Sequence, residues 1–338
     1  MYDAGILQST EFHQVKTIGV GNIAVGGTGK TPHIEYLIRL LKNDFKISTL
    51  SRGYKRKTKG FILSNEFSSC EDIGDEPLQF KSKFSDVQVA VDGNRVRGVQ
   101  QLIMACSPDV ILLDDAFQHR AIKPGLNILL TDFNRLYPFD FFLPSGRLRD
   151  AKREVLRADI IIVTKTPFSL TNIELKMIKK DLFLIPSQKL FFSYIKYGKL
   201  CYFKDLNKAE KDQNLITIEN DLFKFSVLLF SGIANDRNMY IYLKEFANEI
   251  QVMRFSDHHF YTAEDLKKIK LNFDSIKSEH KLMVTTEKDM MRLRNSLFSE
   301  TIDHWPLYIL PIEIDFKDKN VEFNQTILNY VRANNANK

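Results

Sequence analysis

Lys16-Thr17-Ile18-Gly19-Val20-Gly21-Asn22-Ile23-Ala24-Val25-Gly26-Gly27-Thr28-Gly29-Lys30-Thr31-Pro32 joins an apolar strand to a helix through a glycine-crowded turn. Such a turn lets backbone N–H groups converge on phosphate oxygens. A lysine and a hydroxyl at its end supply a point charge and a magnesium ligand. Gly26, Gly27, Thr28, Gly29, Lys30 and Thr31 are therefore the expected nucleotide-binding residues. The helix after them shows Ile34, Leu37, Ile38 and Leu41 at i, i+3, i+4 and i+7, with Pro32 near its start, where a missing N–H costs little. Ala24 stands where the strict phosphate-loop pattern has glycine.

The 338 residues, 44% hydrophobic and 27% charged, suit a folded chain of two domains. A net charge of +6 favours anionic ligands or an anionic membrane surface but is too small to indicate nucleic acid. Cys70, Cys106 and Cys201 form neither a C-x-x-C pair nor a zinc spacing, which points to a reducing compartment such as the cytoplasm. No apolar run approaches the ~20 residues of a membrane-spanning helix, so any membrane contact is expected to be peripheral.

Strands are expected at 16–20, 46–50, 87–91, 110–115, 127–131 and 159–164. The run Val110-Ile111-Leu112-Leu113-Asp114-Asp115 ends in two acids, the form that holds magnesium beside a phosphate loop. Ser51-Arg52-Gly53-Tyr54 and the basic run to Lys59 follow the second strand, at the edge where open α/β sheets bind ligands. Asp75 and Glu76 precede Pro77 at a helix start, where carboxylates also serve as caps. Arg147 and Arg149 read either as a phosphate clamp or as solvent-facing charges. Around Tyr197-Gly198 short β segments suggest a hairpin linker, and strands at 225–230, 250–255, 281–285 and 306–310 alternate with helices near 236–248 and 262–270.

Taken in order, the phosphate loop, Ser51-Arg52-Gly53-Tyr54, Gly74-Asp75-Glu76-Pro77, Asp92-Gly93-Asn94-Arg95, Asp114-Asp115…Gln118-His119, Gly232-Ile233-Ala234-Asn235, Asp257-His258-His259 and Thr286-Glu287-Lys288-Asp289 resemble the tetraacyldisaccharide 4'-kinase family over nearly the whole chain. The resemblance implies a P-loop NTPase-like α/β/α sandwich at residues 1–187, a short β linker at 188–220 and a second, smaller α/β domain at 221–338. It implies ATP and Mg2+ as cofactors. The acceptor would be the 4'-hydroxyl of a tetraacylated glucosamine disaccharide 1-phosphate, at the cytoplasmic face of the inner membrane of a Gram-negative bacterium, with no nucleic acid involved.

By position, Lys30 would contact the β/γ-phosphates, Thr31 with Asp114 or Asp115 would hold magnesium, and Asp75 would act as base with His258 assisting. Tyr54, Arg95, Gln118, His119 and Arg149 resemble the family's phosphate- and substrate-contacting positions. Which of His258 and His259 serves Asp75 is open. Two departures stand out. The family's Leu-Pro-Ala-Gly-Pro-Leu-Arg-Glu is here Leu143-Pro144-Ser145-Gly146-Arg147-Leu148-Arg149-Asp150. The chain also opens at Met1-Tyr2-Asp3-Ala4-Gly5, about where the family's amphipathic membrane helix would end. The basic run 52–59 alone would then give weak, salt-sensitive membrane binding.

A guanine-nucleotide switch would need Asn/Thr-Lys-x-Asp, and Thr164-Lys165-Thr166-Pro167 lacks the aspartate. A non-catalytic lipid-binding module would leave the loop and the paired acids without a purpose.

Overall fold

The computed structural model describes residues 8–205, 215–294, 298–317 and 319–333. The opening Met1–Gly5 segment, expected to mark the end of a membrane helix, lies outside the described residues. The described residues divide into two compact units, one within Met1–Lys196 and Glu313–Lys338, the other within Tyr197–Ile312.

In the first unit the strands are β1 (Lys16–Gly21), β2 (Ile47–Ser51), β3 (Ile62–Leu63), β4 (Gln88–Val91), β5 (Val110–Asp114), β6 (Leu126–Asp132), β7 (Ile160–Thr164) and β8 (Lys189–Tyr197). β1 lies between β5 and β6, parallel to both, and β2 lies between β5 and β4, parallel to both. β7 continues parallel to β6, and β8 parallel to β7. Parallel pairing brings the carboxyl ends of β1, β2 and β5 to one edge, so Gly21, Ser51 and Asp114 meet there. Both faces are covered: Val110 and Leu112 enter one hydrophobic core, Ile111 and Leu113 another. A strand buried on both faces reads as an unbroken apolar run, which is how β5 looks in the sequence.

The helix Lys30–Leu41 buries Ile34, Leu37, Ile38 and Leu41 against that sheet, the stripe its spacing predicts. Its first residue follows Gly29, whose φ of 91° is left-handed and strained for any residue with a Cβ. Ala24 needs no such freedom, because it pairs in an antiparallel bridge with Leu148. This explains its tolerance in place of glycine.

The second unit contains β9 (Leu200–Tyr202), β10 (Leu215–Ile216), β11 (Ser226–Ser231), β12 (Glu249–Arg254), β13 (Lys281–Thr286) and β14 (Leu307–Leu310), in the order β10-β9-β14-β13-β11-β12. β11, β12, β13 and β14 are parallel, while β9 and β10 add an antiparallel edge. Helices Arg237–Phe246 and Ala263–Ser275 make the crossovers, as the alternation predicts.

The domain limits differ from the sequence expectation. β15 (Ile312–Phe316) pairs with β8 in the first sheet, whose order is β15-β8-β7-β6-β1-β5-β2-β4-β3. The helix Asn320–Arg332 follows β15, and its Phe323 stacks on Phe316 at 4.1 Å and meets Phe191 and Tyr36 edge-on. Residues from 313 onward thus complete the first unit's core and are not part of the second. The stretch 188–220 is not a separate linker either, since β8 belongs to one sheet and β9 and β10 to the other.

Candidate active site

The site of the first unit is built from three loops at the carboxyl edge of β1, β2 and β5. Asn22 follows β1, is buried, and donates through its amide to the Thr28 hydroxyl at 2.7 Å, bracing the phosphate loop across its width. The Gln118 amide donates to the Asn22 carbonyl at 2.6 Å. Arg149 donates to Asn22 Oδ1 at 2.7 Å and to Asp115 Oδ1 at 2.5 Å. His33, one turn into the helix, bonds the Gly29 carbonyl through Nδ1 at 2.7 Å and the Ser193 hydroxyl through Nε2 at 3.0 Å. A carbonyl only accepts, so Nδ1 carries the proton of the neutral ring. Burial holds the His33 pKa down at about 4, against the carbonyl bond that raises it.

Lys30 Nζ lies 3.6 Å from Asp115 Oδ1. Thr31 Oγ1 donates to Glu76 Oε1 at 2.9 Å, and the Ser51 hydroxyl donates to Asp114 Oδ2 at 3.2 Å. The two acids ending β5 are not equivalent. Asp114 remains in the strand, fully buried, and burial together with the nearby Glu76 and Asp115 carboxylates raises it to about 7, while Lys30 and Arg95 oppose the rise. Asp115 leaves the strand with φ 47°, and although burial pushes it up, Lys30 and Arg149 hold it below the usual carboxylate range. Asp114 Oδ1 is buried and has no hydrogen-bond partner. Among the described residues no three carboxylates converge as a ready-made cage, but the orphaned Asp114 oxygen and the Thr31 hydroxyl are hard-oxygen donors that fit a divalent cation held mainly by phosphate and water, and a cation would oppose the repulsion that lifts Asp114.

The structure thus gathers Lys30, Thr31, Asp114, Asp115, Gln118 and Arg149 around the phosphate loop. It adds Asn22 and Ser51, to which no role was given from the sequence, and Glu76, which the sequence offered only as a cap or as a rival to Asp75. The signal for Glu76 lay in the Gly74-Asp75-Glu76-Pro77 motif, where two adjacent acids competed. Asp75 is buried and accepts the Glu76 N–H at 3.0 Å. Tyr54 is 57% exposed after β2, its carbonyl 3.1 Å from where a Cβ would stand on Gly74.

Arg95 lies deeper than the other expected contact residues. Only 2% exposed, it donates to the carbonyls of Asp92 at 2.6 Å and Asp114 at 3.3 Å, and burial lowers its pKa to about 10. Through these two bonds it ties the end of β5 to the turn after β4. His119 stands behind it, its Nε2 accepting the Arg95 backbone N–H at 3.5 Å, with burial and the Arg95 charge lowering its pKa.

In the second unit, Asp257-His258-His259 follows β12. His259 bonds Asp265 through Nε2 at 2.9 Å and stacks on Phe255 at 4.9 Å. His258 takes φ 54°, donates its backbone N–H to the Gly232 carbonyl at 3.1 Å, and places Nε2 4.0 Å from Asp257 Oδ2. Beneath this turn, buried Asp289 accepts from Gly232 N–H, Tyr261 hydroxyl and Arg292, each at 3.0 Å, and from the Thr286 hydroxyl at 2.6 Å. Arg292 also donates to the Gly232 carbonyl at 2.9 Å.

A phosphate loop opening a helix, a strand-end pair of acids beside its threonine, and a lysine held at the mouth define a nucleotide-dependent phosphotransferase of the P-loop class. The family comparison narrows the class. Residues 1–332 match the family model described as Tetraacyldisaccharide-1-P 4'-kinase, and the chain belongs to that family. Among similar curated proteins, the tetraacyldisaccharide 4'-kinase of Phocaeicola vulgatus is 44% identical, covering 100% of this chain and 91% of the relative. That of Flavobacterium johnsoniae is 45% identical, covering 99% and 92%. The crystal structure of LpxK from Aquifex aeolicus in complex with ATP superposes with a TM-score of 0.71 at 28% identity, over 98% of this chain and 92% of that one.

Proposed function

We infer that this chain transfers the γ-phosphoryl group of ATP to the 4'-hydroxyl of a tetraacyldisaccharide 1-phosphate, with the first unit's phosphate loop as the site of transfer. The observation that supports this most is the meeting of Lys30, Thr31, Asp114 and Asp115 at one sheet edge. Phosphoryl transfer depends on position and charge stabilisation more than on covalent chemistry, and this cluster supplies both. The loop amides from Gly26 to Thr31 receive the phosphates at the helix N-terminus. Lys30 leaves Asp115 for the β/γ-oxygens, and Asp115 retains Arg149 as its counter-charge.

Thr31, Asp114 and Asp115 are the proposed magnesium ligands, with Glu76 positioning the threonine hydroxyl. When bound, the ion neutralises charge building on the phosphate oxygens. Asp75 accepts the proton of the attacking 4'-hydroxyl, and His258 assists it. Tyr54, Arg95, Gln118, His119 and Arg149 are the proposed phosphate and acceptor contacts, Arg95 also bonding the Asp92 and Asp114 carbonyls. The lipid acceptor places the reaction in peripheral contact with the cytoplasmic face of the inner membrane.

The test is acceptor-dependent ADP formation by the whole chain with ATP, magnesium and the disaccharide 1-phosphate lipid. ADP release that rises only when the lipid is present supports the kinase reading. Equal ADP release with and without lipid overturns it in favour of an ATPase switch. His258→Ala with unchanged turnover would remove the histidine from the mechanism.

A further inference from the structure

We propose that the apolar loop 139–143, with the basic side chains beside it, is the surface by which this chain lies on an anionic phospholipid bilayer. The proposal rests on the peripheral membrane contact inferred above and says which residues make it.

Phe139, Phe141, Phe142 and Leu143 expose 63%, 67%, 55% and 53% of their surface. Soluble surfaces carry single exposed apolar side chains commonly, but four within five residues form a patch that marks a contact. The loop is stiff. Buried Asp140 accepts the N–H groups of Phe141 at 2.8 Å and Arg147 at 3.1 Å. Gly146 donates to the Phe142 carbonyl and Leu148 to the Phe141 carbonyl, both at 2.9 Å. A Cβ on Gly146 would stand 2.2 Å from the Phe141 carbonyl oxygen, so only glycine closes the turn. The backbone that presents these four side chains to solvent is therefore fixed, and its ordering cost is met before any contact forms.

The charge around the loop favours an anionic partner. Lys152 stands 5.9 Å over the Phe141 ring, and Arg135, Arg147 and Arg153 are exposed nearby in sequence. Of the acids in the same stretch, Asp140 is buried and pairs with Arg135, Glu154 is buried and pairs with Arg120, Arg153 and Arg157, and half-buried Asp150 lies 3.8 Å from Arg157, so the positive charge of the patch rests chiefly on Lys152 and Arg147. Aromatic side chains beside exposed cations are what an interface of acyl chain and anionic headgroup binds. A second copy of this chain would meet the same positive charge with its own.

Position supplies the functional link. Leu148 closes the loop and bridges Ala24, Val25 N–H donates to the Arg147 carbonyl at 2.8 Å, and Arg149 N–H donates to the Ile23 carbonyl at 2.9 Å. A bilayer seated on this loop thus delivers a lipid acceptor beside the phosphate loop. The weak, purely electrostatic membrane binding expected from the basic run 52–59 is accordingly replaced by binding with an apolar component that persists at high salt.

The experiment is flotation of the whole chain with phosphatidylglycerol-containing vesicles, using phosphatidylcholine vesicles as the uncharged control. The double variant Phe141→Ser/Phe142→Ser should lower partitioning at least roughly tenfold, since each buried phenylalanine contributes strongly to transfer. Its melting temperature and its turnover of detergent-dispersed acceptor should be unchanged. Lys152→Gln/Arg153→Gln should lower binding about tenfold on anionic vesicles and not on phosphatidylcholine. Phe142→Trp should shift its emission to the blue when anionic vesicles are added, against the buried native Trp305. Wild-type binding with undiminished binding of the serine variant overturns this proposal alone. Failure of the wild-type chain to bind anionic vesicles overturns the membrane reading with it. A serine variant that keeps vesicle binding but no longer self-associates shows that the patch is an interface between copies and also overturns the proposal.

Discussion

Acid should loosen the first unit through a single buried histidine. His33 has a pKa of about 4 in the folded chain against 6.5 for the exposed side chain, because burial penalises the imidazolium. The folded pKa is the lower one, so between those values the unfolded chain binds the extra proton. The contribution of His33 is fully present above pH 6.5 and declines as pH falls toward 4. The full difference is roughly 3 kcal/mol, of which about 2 kcal/mol is lost by pH 5. Protonation also removes the acceptor that Nε2 offers the Ser193 hydroxyl, and Nδ1 anchors the Gly29 carbonyl at the mouth of the phosphate loop. The perturbation is His33→Asn, whose amide retains a donor for that carbonyl without titrating. The assay is hydrogen exchange of amides in the helix Lys30–Leu41, with wild type and variant compared at pH 7.5 and pH 5 after correction for intrinsic rates. Wild type should lose about 2 kcal/mol more protection than the variant on acidification. Equal losses would refute the assignment, since carboxylate titration elsewhere is common to both chains.

Other outcomes follow from the site. Lys30→Ala should lower transfer by roughly 10²-fold or more with the melting temperature retained, read by product formation and calorimetry. Asp75→Ala should lower kcat by roughly 10²–10⁴ with little change in ATP affinity, whereas Glu76→Ala should chiefly raise the magnesium requirement, because Glu76 holds the Thr31 hydroxyl; a magnesium titration of both variants separates the roles, and a nearly neutral Asp75→Ala would return Asp75 to capping alone. Asp289→Ala should destabilise the second unit by about 3–5 kcal/mol, since it strands buried Arg292, and limited proteolysis of the second unit would report the loss.

The nucleotide site was legible because its signals are local. A strand, a glycine turn, a lysine and an amphipathic helix occupy consecutive residues, and Asp114 ends an apolar run buried on both faces. Asp115 was less legible: its positive φ takes it out of the strand and gives it a different charge environment from its neighbour. The return of β15 and the helix Asn320–Arg332 to the first unit depends on Phe316 and Phe323 packing against Phe191, a contact across more than a hundred residues that no local pattern records. The charge of Arg95 was visible in the sequence, but its burial and its bonds to the Asp92 and Asp114 carbonyls were not. The loop 139–143 hid for the opposite reason. An apolar run reads alike whether it is buried or held in water, and only the closure by Asp140 and Gly146 shows which.

The central claim is that this phosphate loop serves a sugar hydroxyl and not water. Its most direct test is the position of the new phosphate ester, read by proton–phosphorus correlation on the lipid product after incubation with ATP and magnesium. The account predicts a second phosphorus signal coupled to the proton on carbon 4', absent with Lys30→Ala. Inorganic phosphate alone, or a new ester at any other carbon, would contradict it.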